Sequence, residues 1–182
     1  MGGLEIVPIH FAGHRETLNT LSEALERTFA CQARLRRRWF DPERAYDASR
    51  GQHNSTTLLK QLLDDPQPDA DSVLGVTGVD LFIPVLTYVF GEAQLSGRVA
   101  VVSIHRLEPE VYGLPSNPGL LADRLEKEAV HELGHTRGLL HCADPNCVMH
   151  PSSYAEEIDL KSAMFCPPCL RIVRDNRGVA AG

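Results

Sequence analysis

The stretch His131-Glu132-Leu133-Gly134-His135-Thr136-Arg137-Gly138-Leu139-Leu140-His141 carries the deciding pattern of this chain. Two histidines four positions apart on a helix are rotated by about 40°, so both imidazoles reach one point from the same face. Glu132 lies about 100° from His131 and can stand beside a shared metal without filling a coordination place. There it can take a proton from a zinc-bound water, the general-base task. In an uninterrupted helix His141 would sit about 240° round from His135 and about 9 Å along the axis, useless to the same ion. Gly138 can adopt φ > 0, end the helix and turn the chain back, which makes His141 a third ligand. Three protein ligands plus one open position is the pattern of a catalytic zinc.

Apolar spacing around this motif predicts an α+β or α/β chain with a mixed sheet. A short buried strand is expected over 4–8. Leu18, Leu21, Leu25 and Phe29 recur at helical spacing and predict an amphipathic helix over 15–31. A strand over 32–40 follows, then a helix over 54–63 with Asn54 or Ser55 as N-cap. Further strands are expected over 73–76, 87–90 and 98–104, each bounded by Gly, Pro or charge. The motif helix is placed at 120–138. Beyond it the chain reads as cysteine-rich loop with one short helical stretch around 156–164.

Four of the five cysteines, Cys142, Cys147, Cys166 and Cys169, crowd into the C-terminal part of the chain. Four thiolates close a tetrahedral zinc site at about 2.3 Å per bond and leave no place for water, so this second zinc is structural. A thioredoxin-like use of Cys166 and Cys169 lacks a fold after the pair, and a zinc deaminase would need H-x-E where this chain has His131-Glu132. Cys31, on the first helix, is expected to be a buried thiol. His10, His14, His53 and His105 have no partner at ligand spacing.

The extended histidine motif with Met149 shortly downstream resembles the metzincin zinc peptidases. His141 abutting Cys142, Met149 two residues after Cys147 and the closing Cys166-Pro167-Pro168-Cys169 are similar to the archaemetzincins, peptidase family M54. Segments 78–82, 88–93 and 101–103 extend the likeness, so it covers about 4–169. This resemblance implies a zincin fold with a twisted mixed sheet, a backing helix and an active-site helix. It implies an upper part over 1–138 and a small zinc-stapled lower part over 139–182. It also implies that Met149 forms a turn packed beneath the metal, and that an extended peptide binds along an edge strand. Residues 87–94 are the candidate edge, with Gly91 permitting close approach. Some metzincins place a tyrosine two residues after the methionine to stabilise the oxyanion; here Pro151 stands there. Tyr154, His150 or the zinc alone remain for that role.

The expected activity is therefore that of a zinc metallopeptidase carrying two zinc ions. The alternative is a non-catalytic zinc-binding interaction module with an idle or weakly metallated histidine site. At 182 residues and 20.1 kDa the chain is of single-domain size and can bury a sizeable core. A net charge of -6 argues against a nucleic-acid partner, which would demand a basic face. The cluster Arg34, Arg36, Arg37 and Arg38 reads as a solvated face. The apolar run 81–91 is about half of the ~20 residues a membrane span needs. The opening MGGLEIVPIHF has no basic segment before an apolar one, and Ile6 stands where a myristoylation site wants Ser or Thr. These features lead to the expectation of a monomeric, cytoplasmic enzyme acting on peptides or proteins.

Overall fold

The computed structural model describes residues 3–11, 15–36, 41–65 and 70–176. His14, Arg37 and Arg38 lie outside the described residues.

The chain begins with β1 (Gly3–Ile9), α1 (Arg15–Phe29) and β2 (Gln32–Leu35). After a 3-10 turn over Pro42–Ala45 come β3 (Tyr46–Asp47), β4 (Gln52–Asn54) and α2 (Ser55–Asp64). Then follow β5 (Ser72–Thr77), β6 (Leu81–Phe82), β7 (Gly91–Ala93) and β8 (Val99–Ser103). A second 3-10 turn, Pro109–Tyr112, leads to α3 (Pro118–Thr136), α4 (Ala155–Leu160) and α5 (Pro167–Asp175).

Five strands form the main sheet in the order β2-β1-β5-β8-β7. The first four run parallel, and β7 pairs antiparallel with β8 as a free edge. Alternation along the strands sorts their side chains into two layers. Leu4, Ile6, Leu74, Val76, Ala100 and Val102 face the core shared with α1 and α3. Val7, Ile9, Val73, Val99 and Val101 face α2, where Leu58, Leu59 and Leu62 meet them. Covering both faces explains why β5 and β8 are buried throughout, with polar side chains only at their ends, Ser72, Thr77 and Ser103. A small second sheet, β3-β4-β6, flanks this body. Among the described residues no helix is long and apolar enough to cross a membrane.

The helices over 15–29 and 55–64 match the periodicity, and Asn54 caps α2 by accepting from Thr57 N–H at 2.9 Å. Three expectations change. The strand expected over 32–40 ends at Leu35 within the described residues. The strand expected over 87–90 is a loop, with a single bridge between Leu81 and Val89; the edge strand lies just after it. Side chains satisfy the start of that loop: Arg50 donates to Leu86 O and Thr87 O at 2.8 and 3.0 Å, and Gln52 donates to Thr87 O at 3.1 Å. Further along, Val89 N–H donates to Leu81 O and Phe90 O accepts from Ser103 N–H. The chain after 160 is not all loop, because α5 begins at Pro167. Prolines in a first helical turn lose no bond that the helix would have made, and their fixed φ suits it.

Leu125 lies wholly buried on α3, in the layer between that helix, α1 and the sheet. Leu125→Ala is expected to cost about 2–5 kcal/mol, read as a lowered midpoint in urea unfolding with an unchanged slope.

Candidate functional site

Helix α3 starts at Asn117, whose side chain accepts from Leu120 N–H at 3.0 Å, and Pro118 opens the first turn. It ends where Gly138 takes φ 84°. Gly138 N–H donates to His135 O at 2.9 Å and Leu139 N–H to Gly134 O at 3.1 Å, the paired bonds of a left-handed helix stop. Leu139 is buried behind the turn, and the chain doubles back so that His141 faces the last turn of α3.

The three histidines meet there. Their ring centroids lie 4.7, 5.3 and 5.1 Å apart, and one ring nitrogen from each falls within 4.8 Å of the others. His131 Nδ1 lies 2.8 Å from Val148 O, and His135 Nδ1 lies 2.7 Å from Leu139 O. A carbonyl only accepts, so each Nδ1 carries the proton and each Nε2 presents a lone pair. The two Nε2 atoms are 3.1 Å apart. Two facing lone pairs repel unless a cation lies between them, so this donor set fits a metal. Burial, with the Lys161 charge adding to it, pushes the His131 pKa down to about 3, which keeps the ring neutral as a ligand must be.

Glu132 is buried beside this cluster, 6% exposed. Burial raises its carboxyl well above the usual range, and the neighbouring Glu128 and Glu92 charges push the same way. Its side chain packs on β7: a Cβ at Gly91 would fall 2.6 Å from Val101 O and 2.7 Å from Glu132 Cγ. The close approach expected at Gly91 is therefore made by the glutamate and the adjacent strand. Both residues open onto a cleft of about 720 Å³. One wall is the 83–90 loop with β7; the other is the 151–154 segment with Leu140 and His141. Tyr88 OH donates to Ser153 O at 2.7 Å and joins the walls at one end.

Of the two side chains considered for the oxyanion, Tyr154 lines the cleft and is 63% exposed. His150 is engaged elsewhere, its Nδ1 3.0 Å from Cys142 O. Met149, fully buried, packs under α3: a Cβ at Gly134 would overlap its Sδ. His10, His53 and His105 fall in neither cluster of ligand-type side chains found among the described residues. Cys31 lies just past α1 rather than on it, half-buried against the main core and outside the cysteine cluster.

The other four cysteines converge, with all their Sγ atoms within 4.8 Å of one another. Cys142 Sγ and Cys166 Sγ are 3.7 Å apart. That is far beyond a disulfide bond of about 2.05 Å. It is near the ~3.8 Å edge of a tetrahedron built on ~2.3 Å zinc–sulfur bonds. Cys166 N–H also points at Cys147 Sγ, 3.4 Å away. The Cys166 thiol is lowered, chiefly by the Cys169 backbone N–H, while burial raises Cys147 and Cys169. Four thiolates this close need a cation between them, and the set fits a structural zinc.

The model of peptidase family M54 matches residues 38–175. The archaemetzincin of Methanocaldococcus jannaschii is 49% identical over 138 residues, spanning 76% of this chain and 74% of that protein. The chain belongs to peptidase family M54. As a member it is a zinc metallopeptidase, and peptides or proteins are its substrates. The archaemetzincin of Methanopyrus kandleri is 46% identical over 135 residues, 74% of this chain and 73% of its own. The crystal structure of that relative matches with a TM-score of 0.85 at 37% identity, covering 96% of this chain and 94% of the other. The Archaeoglobus fulgidus archaemetzincin, solved in complex with malonate, gives a TM-score of 0.79 at 34% identity, covering 93% and 99%. The M54 fold thus extends over β1, α1 and β2, upstream of the matched family segment.

Sequence reasoning did not single out Glu92, Glu128, Tyr88 or Lys161, which reach the site from three segments, although Tyr88 and Glu92 both lie in the stretch 88–93. Only the spacing of Glu128, one turn before His131, was visible in the chain.

In Gly91→Ala the new methyl meets a backbone carbonyl that cannot move away cheaply. A loss of about 1–3 kcal/mol is expected, measured by chemical unfolding, while elemental analysis finds the metal content unchanged.

Proposed function

We propose that this M54 peptidase carries two zinc ions with separate duties. His131, His135 and His141 hold a catalytic zinc, and Cys142, Cys147, Cys166 and Cys169 hold a structural one. The observation that carries the reading is the pair of facing Nε2 lone pairs, beside a buried glutamate and a free sheet edge.

Zinc at the histidines supplies a Lewis acid for the substrate carbonyl and lowers the pKa of water. The Glu132 carboxylate takes the proton of the attacking water and returns it to the leaving amine nitrogen. Burial raises the proton affinity of this carboxylate, which suits a group that must hold the proton between the two events. The free edge of β7 offers unpaired backbone groups along which an extended peptide adds as a further strand. Tyr154 is the side chain assigned to the developing oxyanion, since His150 faces Cys142 O. The chain divides near Gly138 into an upper part with the sheet and a lower part with Met149 and the cysteine site.

His141 and Cys142 are neighbours in sequence, so the structural zinc holds the turn that presents the third ligand. A reducing cytoplasm keeps four such cysteines available for metal. The net charge of -6 favours a peptide over a nucleic-acid partner. A monomer supplies every group used.

Elemental analysis of untagged protein is expected to find two zinc ions per chain. Glu132→Gln should keep both and lose about 10²–10⁴-fold in peptidase rate, measured on a peptide library. Full activity in that variant would remove Glu132 from the mechanism. A count of one, retained in His135→Ala, would leave the module reading standing. Cys166→Ser is expected to release the structural zinc and to lower both thermal stability and activity, though no histidine ligand is altered. Undiminished activity in the folded variant would separate the two sites.

A further inference from the structure

Lys161 follows α4, and its side chain is only 1% exposed. Its Nζ lies 3.0 Å from Oε1 of Glu128, itself 5% exposed, and donates to His150 O at 3.1 Å. A buried ion pair is seldom worth more than an apolar pair of the same volume, so net stability is a poor account of it. What a buried ammonium does is hold the elements that supply its partners in one geometry.

Those elements are the two halves of the histidine site. Glu128 sits on α3, one turn before His131 and Glu132. His150 belongs to the turn that follows Met149, and its Nδ1 is 3.0 Å from Cys142 O. Cys142 N–H in turn donates to Met149 O at 2.9 Å. His141 is the residue before Cys142. One ion pair followed by a run of hydrogen bonds therefore leads from the helix bearing His131 and His135, through Lys161, to the turn bearing His141.

A second pair provides an internal comparison. Arg124, one turn before Glu128, binds both oxygens of Asp159 on α4 at 2.7 Å and donates to Leu107 O at 2.9 Å. It joins α3 to α4 as firmly as Lys161 joins α3 to its partners, yet none of these bonds reaches the 141–150 turn.

We propose that Lys161 is a positioning residue for the metal site, tying Glu128 on the active-site helix to the His150 carbonyl and so setting His141 against His131 and His135. This rests on the histidine cluster being the catalytic zinc site.

The test is zinc affinity at the histidine cluster, by chelator competition, with the cysteine-bound zinc counted separately. Lys161→Met leaves Glu128 buried and unpaired, so the Lys161→Met/Glu128→Gln double variant, which removes both charges, is measured beside it. Both are expected to bind the histidine-site zinc about 10–100-fold more weakly while keeping the other zinc. Arg124→Met should lower thermal stability at least as much, yet stay within about twofold of wild-type affinity. Wild-type affinity in the double variant would overturn the proposal. So would equal weakening in Arg124→Met, which would reduce Lys161 to a general structural contact. If the wild-type protein binds one zinc only, and Cys166→Ser loses it, the histidine-site reading itself fails and the proposal falls with it.

Discussion

At residue 138 the backbone turns through φ 84°, a conformation that costs a glycine almost nothing and any branched side chain a great deal. The two bonds that close this turn return the carbonyls of Gly134 and His135 to use and aim the chain back across the end of α3. Everything chemical in the molecule depends on that reversal. Without it His141 would continue up the helix and the cluster would have two histidines. With it, His135 Nδ1 finds Leu139 O, so the same turn that brings the third imidazole also orients the second. Met149 then fills the space beneath, against the bare backbone of Gly134.

Helix α3 carries two opposed demands. It must be apolar enough to join the main core through Leu121, Leu125, Ala129, Val130 and Leu133. It must also bury Arg124, Glu128, His131 and Glu132. Buried polar groups cost stability unless each finds a partner. Here Arg124 has Asp159, Glu128 has Lys161 and His131 has Val148 O. These partners come from the chain after the Gly138 turn, so the lower segment answers the polar face of the helix as well as completing the histidine cluster. Glu132 is the member whose proton affinity is raised, by burial first and by the Glu128 and Glu92 charges beside it.

Local pattern was a sound guide wherever one face of an element meets one layer. Leu18, Leu21, Leu25 and Phe29 are all buried in α1, and Asn54 caps α2 as its side-chain chemistry suggests. The guide failed at 87–90, where a stretch bounded by Gly, Pro or charge suggested a strand. Arg50 and Gln52, far away in sequence, take the Leu86 and Thr87 carbonyls where that strand would have begun. It failed again at Pro167 and Pro168, which read as loop but open a helix. Tyr88 and Ser153 illustrate the remaining gap: nothing in either segment signals the other, yet their contact bounds the cleft.

The members of both clusters, three histidines and four cysteines, could be read from the sequence by itself, because metal chemistry favours certain residue types and helix geometry sets their spacing. The four-residue interval of His131 and His135, the glycine before His141 and the paired cysteines are local statements, true of any chain that folds at all. Tertiary structure alone decided what surrounds those side chains. Glu92 from the sheet edge, Lys161 from beyond α4 and Tyr88 from a pinned loop reach the site through packing between distant segments. Such contacts leave no period or spacing in the chain, since they arise from the sum of many weak apolar contacts across three layers and not from any one stretch of residues.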